Sequence, residues 1–223
     1  MEYEWRFDIL WQYRYVFLLG VGGTLSLTGL SMLFGLIFGI PLGIGRMSNS
    51  RIIKFLSGAF IEVFRDTPIL VQLVWIFYCL PILTGIMMSA YTSAILAMSL
   101  HATAYLAEVY RAGIASIDRG QIEAGRVVGM SSWQTMRRII LPQAIQRVIP
   151  PMMNVFADFM KASALCSVIG VWELFREASN VITTTYRPLE VYSAMAVIYF
   201  LIIYPVVWAA PRLEALLARR RMA

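Results

Sequence analysis

The chain has 223 residues, of which 59% are hydrophobic and only 14% are charged, and its formal net charge is +6. A soluble domain typically has about 45–50% apolar and about 25% charged residues, so this composition excludes an ordinary water-soluble enzyme or binding module. The excess of apolar residues predicts an integral membrane protein.

Long charge-free runs predict membrane-spanning helices. Arg14 and Arg46 bracket one such run, and Glu190 and Arg212 bracket another. A spanning helix needs about 20 mostly apolar residues, and in lipid its backbone must satisfy its own hydrogen bonds. The predicted spans, in chain order, are 16–45, 59–82, 90–110, 148–172 and 191–211. We therefore expect an all-α polytopic membrane protein with one domain, residues 1–223, that crosses the bilayer about five times.

Glycine and proline mark positions of close packing and of breaks within these runs. Gly35, Gly39 and Gly43 recur at every fourth residue of the first span, a spacing that lets another helix approach closely. Packing within the chain is the favoured interpretation, and a contact between subunits is the alternative. Pro81 and Gly85 are expected to separate the second span from the third.

Basic residues indicate how the spans are oriented. They concentrate in the loop 46–58, in the segment 111–147 and in the tail after residue 211. Because basic residues favour cytoplasmic loops, the N-terminus is predicted to face out and the C-terminus to face in. The same loops explain the net charge through their position beside anionic lipid, so no nucleic-acid partner is predicted.

Histidine and cysteine give no reason to expect a metal site or a disulfide. His101 is the single histidine, and Cys79 and Cys166 both fall within predicted spans. A histidine without a second ligand nearby in sequence is a poor candidate for metal binding. A membrane-embedded enzyme is also disfavoured, because neither an HExxH pattern nor a Ser–His–Asp arrangement is evident. No catalytic residue and no metal ligand is predicted.

The segment 111–147 is the longest predicted cytoplasmic loop and is too long to lack structure of its own. Residues 121–128 favour a short helix, which Gly129 is placed to end. Ser131 or Ser132 can cap a second short helix. Two helices joined at Gly129 would form a compact knob that projects into the cytoplasm.

The second helix of this knob is expected to run to about Leu141 and to be broken by Pro142. On the first helix, the small residues Ala124 and Gly125 would allow close contact with another protein. The alternative is an ordinary surface loop, which explains neither the small residues nor the two adjacent helix stops.

The sequence of the knob resembles the EAA loop of the membrane subunits of binding-protein-dependent ABC importers. The family pattern is E-A-A, followed by a Gly six residues after the Glu and by I-x-L-P further on, and here Gly125 replaces the second Ala. This glycine weakens the helix by about 0.5–1 kcal/mol relative to alanine but keeps the close approach. The matching residues are Gly120, Gln121, Glu123, Ala124, Gly125, Gly129, Leu141 and Pro142.

Further motifs are similar to those of the polar amino acid permeases within this family. The stretch 62–72 resembles E-x-F-R-G-T-P-x-x-x-Q, with Asp66 in place of the usual Gly. The stretch 104–113 resembles A-Y-x-A-E-x-x-R-G-G. Asn154, Lys161 and the stretch 167–170 resemble the fourth span of that subfamily. Four motifs in the correct order cover most of the chain.

The resemblance implies the MetI-like ABC permease fold and a role in ATP-driven import of a polar amino acid or a derivative such as an opine. The EAA loop would couple the spans to two separate ATP-binding cassette subunits. The implied partners are also a second permease subunit, identical or similar, and an extracytoplasmic solute-binding protein. The chain has no G-x-x-x-x-G-K-[ST] motif, so the partner subunits would use the ATP and this chain would bind no cofactor and be no enzyme itself. The implied location is the bacterial inner membrane.

Charged and polar residues within the spans are candidates for the substrate pathway, because a charge at mid-bilayer costs at least about 2.5–3.5 kcal/mol on insertion scales. Asp158 and Lys161, three residues apart, could neutralise each other or line the pathway. Arg65 could bind a substrate carboxylate or brace its acidic neighbours. The candidates are Glu62, Arg65, Asp66, Thr67, Gln72, Asp158, Lys161 and Ser163.

A proton- or ion-coupled secondary transporter is the main alternative function. In that case the buried acidic residues would couple uptake to an ion gradient. The absence of an obvious internal repeat argues against an inverted-repeat transporter of this class.

Overall fold

Helices form the whole framework of the computed structural model, which describes residues 3–222 and the side chains of residues 3–216. No strand occurs within that range, which confirms the all-α prediction. The helices are α1 (Asp8–Gln12), α2 (Arg14–Arg46), α3 (Arg51–Asp66), α4 (Ile69–Val74), α5 (Leu80–Thr84), α6 (Ala90–Ala115), α7 (Arg119–Val127), α8 (Ser132–Thr135), α9 (Leu141–Ala162), α10 (Leu174–Thr185) and α11 (Pro188–Met222).

Three short segments with other helical geometry join some of these helices end to end. A π turn, Trp75–Cys79, connects α4 to α5, and a second π turn, Met136–Ile140, connects α8 to α9. A 3₁₀ helix, Ser163–Ile169, follows α9 directly. The two π turns therefore each join two helices into one path, and the 3₁₀ helix extends the end of α9.

Helix α6 lies at the centre of the fold and packs along α2, as the glycine spacing predicted for an intramolecular contact. A Cβ atom at Gly35 would lie 2.7 Å from Ala102 Cβ, and one at Gly43 would lie 2.7 Å from the Ala107 carbonyl oxygen. The two backbones are thus too close to admit side chains between them. The glycine stripe is used within the chain, and the facing residues of α6 include the fully buried Ala97, Met98, Ala102, Leu106 and Ala107.

The range 59–82 is not one straight helix. The axes of Arg51–Asp66 and Ile69–Thr84 are bent by 101° at Thr67 and Pro68. Thr67 is extended, with φ −95° and ψ 138°, because a residue that precedes proline is disfavoured in the helical region. The bend therefore follows from the local sequence and turns α3 away from the direction of α4 and α5.

The second and third spans are separated at Gly85, as expected, but Pro81 does not interrupt the helix. The helical path continues through Pro81 to Thr84 and ends at Gly85, which has φ +71°. Proline is tolerated there because it occupies the first turn of α5, directly after the π turn. Gly85 supplies the left-handed conformation that ends the path.

Three helical segments in the described part of the chain are long and apolar enough to cross a membrane: Arg14–Arg46, Ser132–Ile169 and Pro188–Leu216. The bent pair α3 and α4–α5 adds a fourth if it is counted as one span. Helix α6 has 26 residues but is less apolar, since Ala, Ser and Thr replace larger side chains in its buried interior position. Five crossings and their direction therefore stay predictions.

Replacing Gly35 with alanine should destabilise the fold, because the new Cβ would lie 2.7 Å from Ala102 Cβ and 3.0 Å from the Ala102 carbonyl carbon. We expect the free energy of unfolding in detergent micelles to fall by about 1–3 kcal/mol, the usual effect of overpacking.

The matched control is Gly29→Ala on the same helix, where a Cβ would meet no heavy atom of residues 3–216 within 4 Å. That variant should be neutral or more stable by about 0.5–1 kcal/mol, because alanine favours the helix. Equal losses of stability in the two variants would contradict the packing described for α2 and α6.

Candidate functional site: the knob and the polar cavity

The knob is a helical hairpin closed by local hydrogen bonds. Asp118 caps α7 by accepting a hydrogen bond of 2.7 Å from the Gly120 N–H. At the other end, Gly129 has φ +78°, and the Met130 N–H donates to the Gly125 carbonyl oxygen at 3.0 Å. This arrangement is a Schellman motif, so Gly129 ends α7 as predicted.

The second helix of the knob begins with a capping box. The Ser131 hydroxyl accepts from the Gln134 N–H, and the Gln134 side-chain oxygen accepts from the Ser131 N–H at 2.8 Å. Of the two serines that the sequence offered, Ser131 is the cap. Reciprocal capping satisfies two otherwise unpaired backbone donors and fixes the start of α8.

The small residues of α7 divide between two environments. Gly125 is buried inside the hairpin, where a Cβ would lie 3.2 Å from both Ile139 Cδ1 and Thr135 Oγ1. Ala124 and Glu123 are exposed. The expectation that Ala124 and Gly125 together form an outer contact face is thus wrong for Gly125, which packs the knob internally.

The outer surface of the knob is unusually apolar. Val127 is 87% exposed, Val128 74% and Trp133 70%. Exposed apolar residues that cluster beside charged ones are typical of a protein contact surface. This surface, Glu123, Ala124, Val127, Val128 and Trp133, is called the knob surface below.

Pro142 does not break the second helix of the knob, and that prediction is wrong. The Leu141 N–H donates to the Met136 carbonyl oxygen, five residues back, and the wider π turn admits the proline ring that follows. In a regular α-helix the ring would clash with the carbonyl group four residues earlier. The path from Ser132 to Ile169 is therefore helical throughout and includes Pro142, Asp158 and Lys161.

One face of α9 carries a polar stripe. Arg147, Asn154, Asp158 and Lys161 recur at intervals of seven, four and three residues, which places them on the same side of a helix. The Lys161 Nζ and Asp158 Oδ1 atoms lie 2.9 Å apart, with side-chain exposures of 57% and 71%. This exposed pair lies near the end of α9, and within a bilayer it would face a water-filled path or another subunit, since lipid would not solvate it.

A polar cavity of about 710 Å³ opens beside the inner part of this stripe. Helices α3, α6, α9 and α11 each contribute to its wall. It holds two cationic and two anionic side chains, so its formal charge is balanced. The polar residues that line it are Arg65, Tyr105, Glu108, Ser116, Gln146, Arg147, Asn154 and Glu214.

The charged groups around this polar cavity are partly paired. Glu108 accepts hydrogen bonds from Arg111, one of them at 2.9 Å from Nε. Arg147 donates to the Ser116 hydroxyl at 2.9 Å, which joins the base of the knob to the end of α6. The guanidinium carbon of Arg65 lies 5.3 Å from the centre of the Tyr105 ring. Arg65 is therefore held by an aromatic face and points its charge into the cavity.

Arg65 does not brace its acidic neighbours, and that interpretation is wrong. Glu62 pairs instead with Arg46 at the end of α2, with 2.6 Å between Arg46 Nη2 and Glu62 Oε1. Among the described residues no ion pair joins Arg65 to Glu62 or to Asp66. Arg46, Glu62 and Arg65 also line a second, smaller cavity of about 540 Å³.

Two other predicted pathway residues are turned toward the protein interior. Ser163 is fully buried, and its hydroxyl donates to the Met160 carbonyl oxygen at 2.8 Å. Gln72 is 8% exposed and contacts the backbone at the bend between α3 and α4. Asp66 and Thr67 are exposed beside the same bend.

Sequence reasoning did not select several residues that line the polar cavity. Arg147 and Glu214 were assigned to loops and tail, and Tyr105 was read only as part of a motif. The seven-residue interval between Arg147 and Asn154 could have indicated a shared helix face. Glu214 has no such signal, because its approach to the cavity depends on how α11 packs.

The chain matches a known protein family over most of its length. A family model described as "Binding-protein-dependent transport system inner membrane component" matches residues 32–221. The chain belongs to this family, whose members are membrane subunits of ABC transporters. This confirms the family indicated by the EAA loop.

Particular relatives narrow the class to amino acid ABC transporter permeases. The glutamine transport system permease protein GlnP of Escherichia coli (strain K12) is 34% identical, over 96% of this chain and 97% of the relative. A chain in the crystal structure of an amino acid ABC transporter with histidines is 36% identical, with a TM-score of 0.88, and the match covers 98% and 100% of the two chains.

The MetI-like fold is confirmed by a third match. A chain of the inward-facing MetNI methionine ABC transporter has a TM-score of 0.76 at 22% identity, over 92% of this chain and 98% of that chain. At this level of identity the match shows the shared fold alone.

Gly129→Ala should loosen the knob, because a residue other than glycine is strained by about 1–2 kcal/mol at a φ of +78°. We expect the amide hydrogens of α7 to exchange about 5–30 times faster, since 1–2 kcal/mol corresponds to that factor. Hydrogen-exchange mass spectrometry of the purified chain alone in detergent micelles measures this.

Val128→Ala, next to Gly129 and 74% exposed, is the control for loss of a side chain at the same turn and should leave exchange in α7 unchanged. Unaltered exchange in Gly129→Ala would show that Gly129 is not required to close the hairpin.

Proposed function

We propose that the chain is the membrane subunit of an ATP-driven importer of a polar amino acid or an amino acid derivative. The observation that carries the proposal is the helical path from Ser132 to Ile169. It begins in the knob, passes the polar cavity at Arg147 and Asn154, and reaches the Asp158–Lys161 pair. A force applied at the knob would therefore move the polar stripe directly.

The chemistry of the polar cavity supports a zwitterionic substrate. Two arginines and two glutamates line it, and arginine binds carboxylates through a planar fork of donors while glutamate can accept from an ammonium group. The names of the relatives agree, since one is a glutamine permease and another structure contains histidines. The proposed pathway residues are Arg65, Asn154, Asp158 and Lys161.

The knob surface is the proposed contact with the ATPase partners. Its apolar residues are exposed, and Glu123 stands among them on the outer side of α7. In the proposed assembly two ATP-binding cassette subunits bind and hydrolyse ATP, while this chain binds no nucleotide. A second permease subunit and an extracytoplasmic solute-binding protein complete the importer.

The proposed placement is a bacterial inner membrane, with five crossings, the N-terminus outside and the knob in the cytoplasm. The basic residues of the segment 111–147 support this direction. Helix α6 is the proposed third crossing, because it packs along α2 and both helices then run from outside to inside.

Glu123→Ala and Val127→Asp are expected to uncouple ATP hydrolysis from uptake, because both alter the knob surface. In proteoliposomes that contain the complete transporter, uptake of L-glutamine or L-histidine should fall at least ten-fold, while the assembled complex is recovered in normal yield. ATP hydrolysis should no longer rise when the loaded binding protein is added.

The control is Asn49→Ala, an exposed residue of the loop 46–58 on the same proposed face, which should leave uptake unchanged. Lys161→Ala provides a contrast, since it should reduce uptake while ATP hydrolysis remains responsive. Normal uptake in both knob variants would contradict the coupling role of the knob.

A further inference from the structure

We infer that Gln72 and His101 form a clamp that replaces a backbone hydrogen bond missing at Pro68, fixes the bend between α3 and α4, and thereby positions Arg65 at the polar cavity. The inference rests on the proposed function in one respect, because the pathway role of Arg65 is part of that proposal. The clamp itself rests on the hydrogen bonds of the Gln72 and His101 side chains and does not depend on the role of Arg65.

Pro68 leaves one backbone hydrogen bond unmade, and the clamp replaces it. In a continuous helix the N–H of residue 68 would donate to the Phe64 carbonyl oxygen, and proline has no N–H. The last carbonyl groups of α3 would then lack backbone partners. The Thr67 hydroxyl satisfies one of them by donating to the Val63 carbonyl oxygen at 2.7 Å.

Gln72 supplies the missing donor at Phe64. Its Nε2 lies 2.9 Å from the Phe64 carbonyl oxygen, 3.0 Å from the Thr67 carbonyl oxygen and 2.7 Å from Thr67 Oγ1. One amide group, from the first turn of α4, therefore holds the end of α3 on the other side of the bend. A side chain without a hydrogen-bond donor cannot do this.

His101 fixes the orientation of that amide. His101 Nδ1 lies 3.3 Å from Gln72 Oε1, and because the amide oxygen can only accept, Nδ1 must be the donor. If the amide turned over, its oxygen would face three other oxygen atoms. His101 thus keeps Nε2 directed at the bend from a buried position on α6.

The clamp continues through aromatic contacts to Arg65. The His101 ring lies 4.9 Å from the Tyr105 ring one turn along α6, and 5.8 Å from the Phe159 ring of α9. Arg65 stacks over the same Tyr105 ring. The bend at Thr67 and Pro68 therefore sets the point on α3 from which the Arg65 side chain extends. Tyr105 of α6 then contacts that side chain.

Spin labels can measure the bend directly. Phe55 and Ile82 are 71% and 82% exposed on the two arms, so Phe55→Cys and Ile82→Cys can be labelled after Cys79 and Cys166 are replaced by alanine. At 1.5 Å per residue the arms are about 18 and 22 Å long. With a bend of 101° their ends lie about 26 Å apart, against about 40 Å in a straight helix.

The test uses the complete transporter in lipid nanodiscs, with labelled chain diluted by unlabelled chain so that each complex carries one labelled pair. Gln72→Leu and His101→Phe should broaden the narrow distance peak toward longer distances, and uptake of L-glutamine or L-histidine should fall at least ten-fold. His101→Asn keeps a donor where Nδ1 lies and should restore both the peak and uptake.

Two controls separate the clamp from general damage and from the pathway role of Arg65. Ser93→Ala removes a buried hydroxyl on α6 that has no hydrogen-bond partner among the described residues, and it should change neither measurement. Arg65→Gln should reduce uptake without moving the distance peak.

The outcomes distinguish the clamp from the pathway role of Arg65. An unchanged peak in His101→Phe would overturn the clamp, even if Arg65→Gln blocks uptake. His101→Asn behaving like His101→Phe would also overturn it, because the ring rather than the donor would then matter. A broadened peak together with normal uptake in Arg65→Gln would leave the clamp in place and refute the pathway role of Arg65.

Discussion

The need to satisfy backbone polar groups where proline interrupts a helix constrains both the bend of this chain and the path that leaves its knob. Pro68 lacks the donor that the Phe64 carbonyl group requires, and the Gln72 amide replaces it across a bend of 101°. Pro142 meets the same constraint differently, because a π turn widens the helix before it and lets the chain continue. One proline therefore turns the chain, and the other is absorbed into an unbroken path.

These two solutions explain how the proposed site is assembled. The bend directs α3 toward the end of α2, where Arg46 meets Glu62, and toward α6, where Arg65 meets Tyr105. The unbroken path joins the knob to the polar stripe of α9. A rigid connection of this kind suits a subunit that must convert movement at the knob into movement at the cavity, since a flexible hinge at Pro142 would dissipate it.

Local patterns in the sequence predicted the features that depend on neighbouring residues. The glycine stripe of α2, the helix stop at Gly129 and the cap at Ser131 all follow from steric or hydrogen-bonding rules within a few residues. The continuity at Pro81 and Pro142 was missed because a π turn has no clear sequence signature. The partner of Glu62 and the approach of Glu214 to the cavity were missed because each depends on contacts between distant segments.

The central claim is that ATP hydrolysis by partner subunits, and not an ion gradient, drives transport through this chain. The most direct measurement is uptake of L-glutamine and L-histidine into proteoliposomes that contain the complete transporter, with ATP enclosed or omitted and with or without a protonophore. With an inward proton gradient imposed across the liposome membrane, the account predicts that uptake requires enclosed ATP and persists when the protonophore collapses that gradient. Uptake without ATP that stops on addition of the protonophore would contradict it.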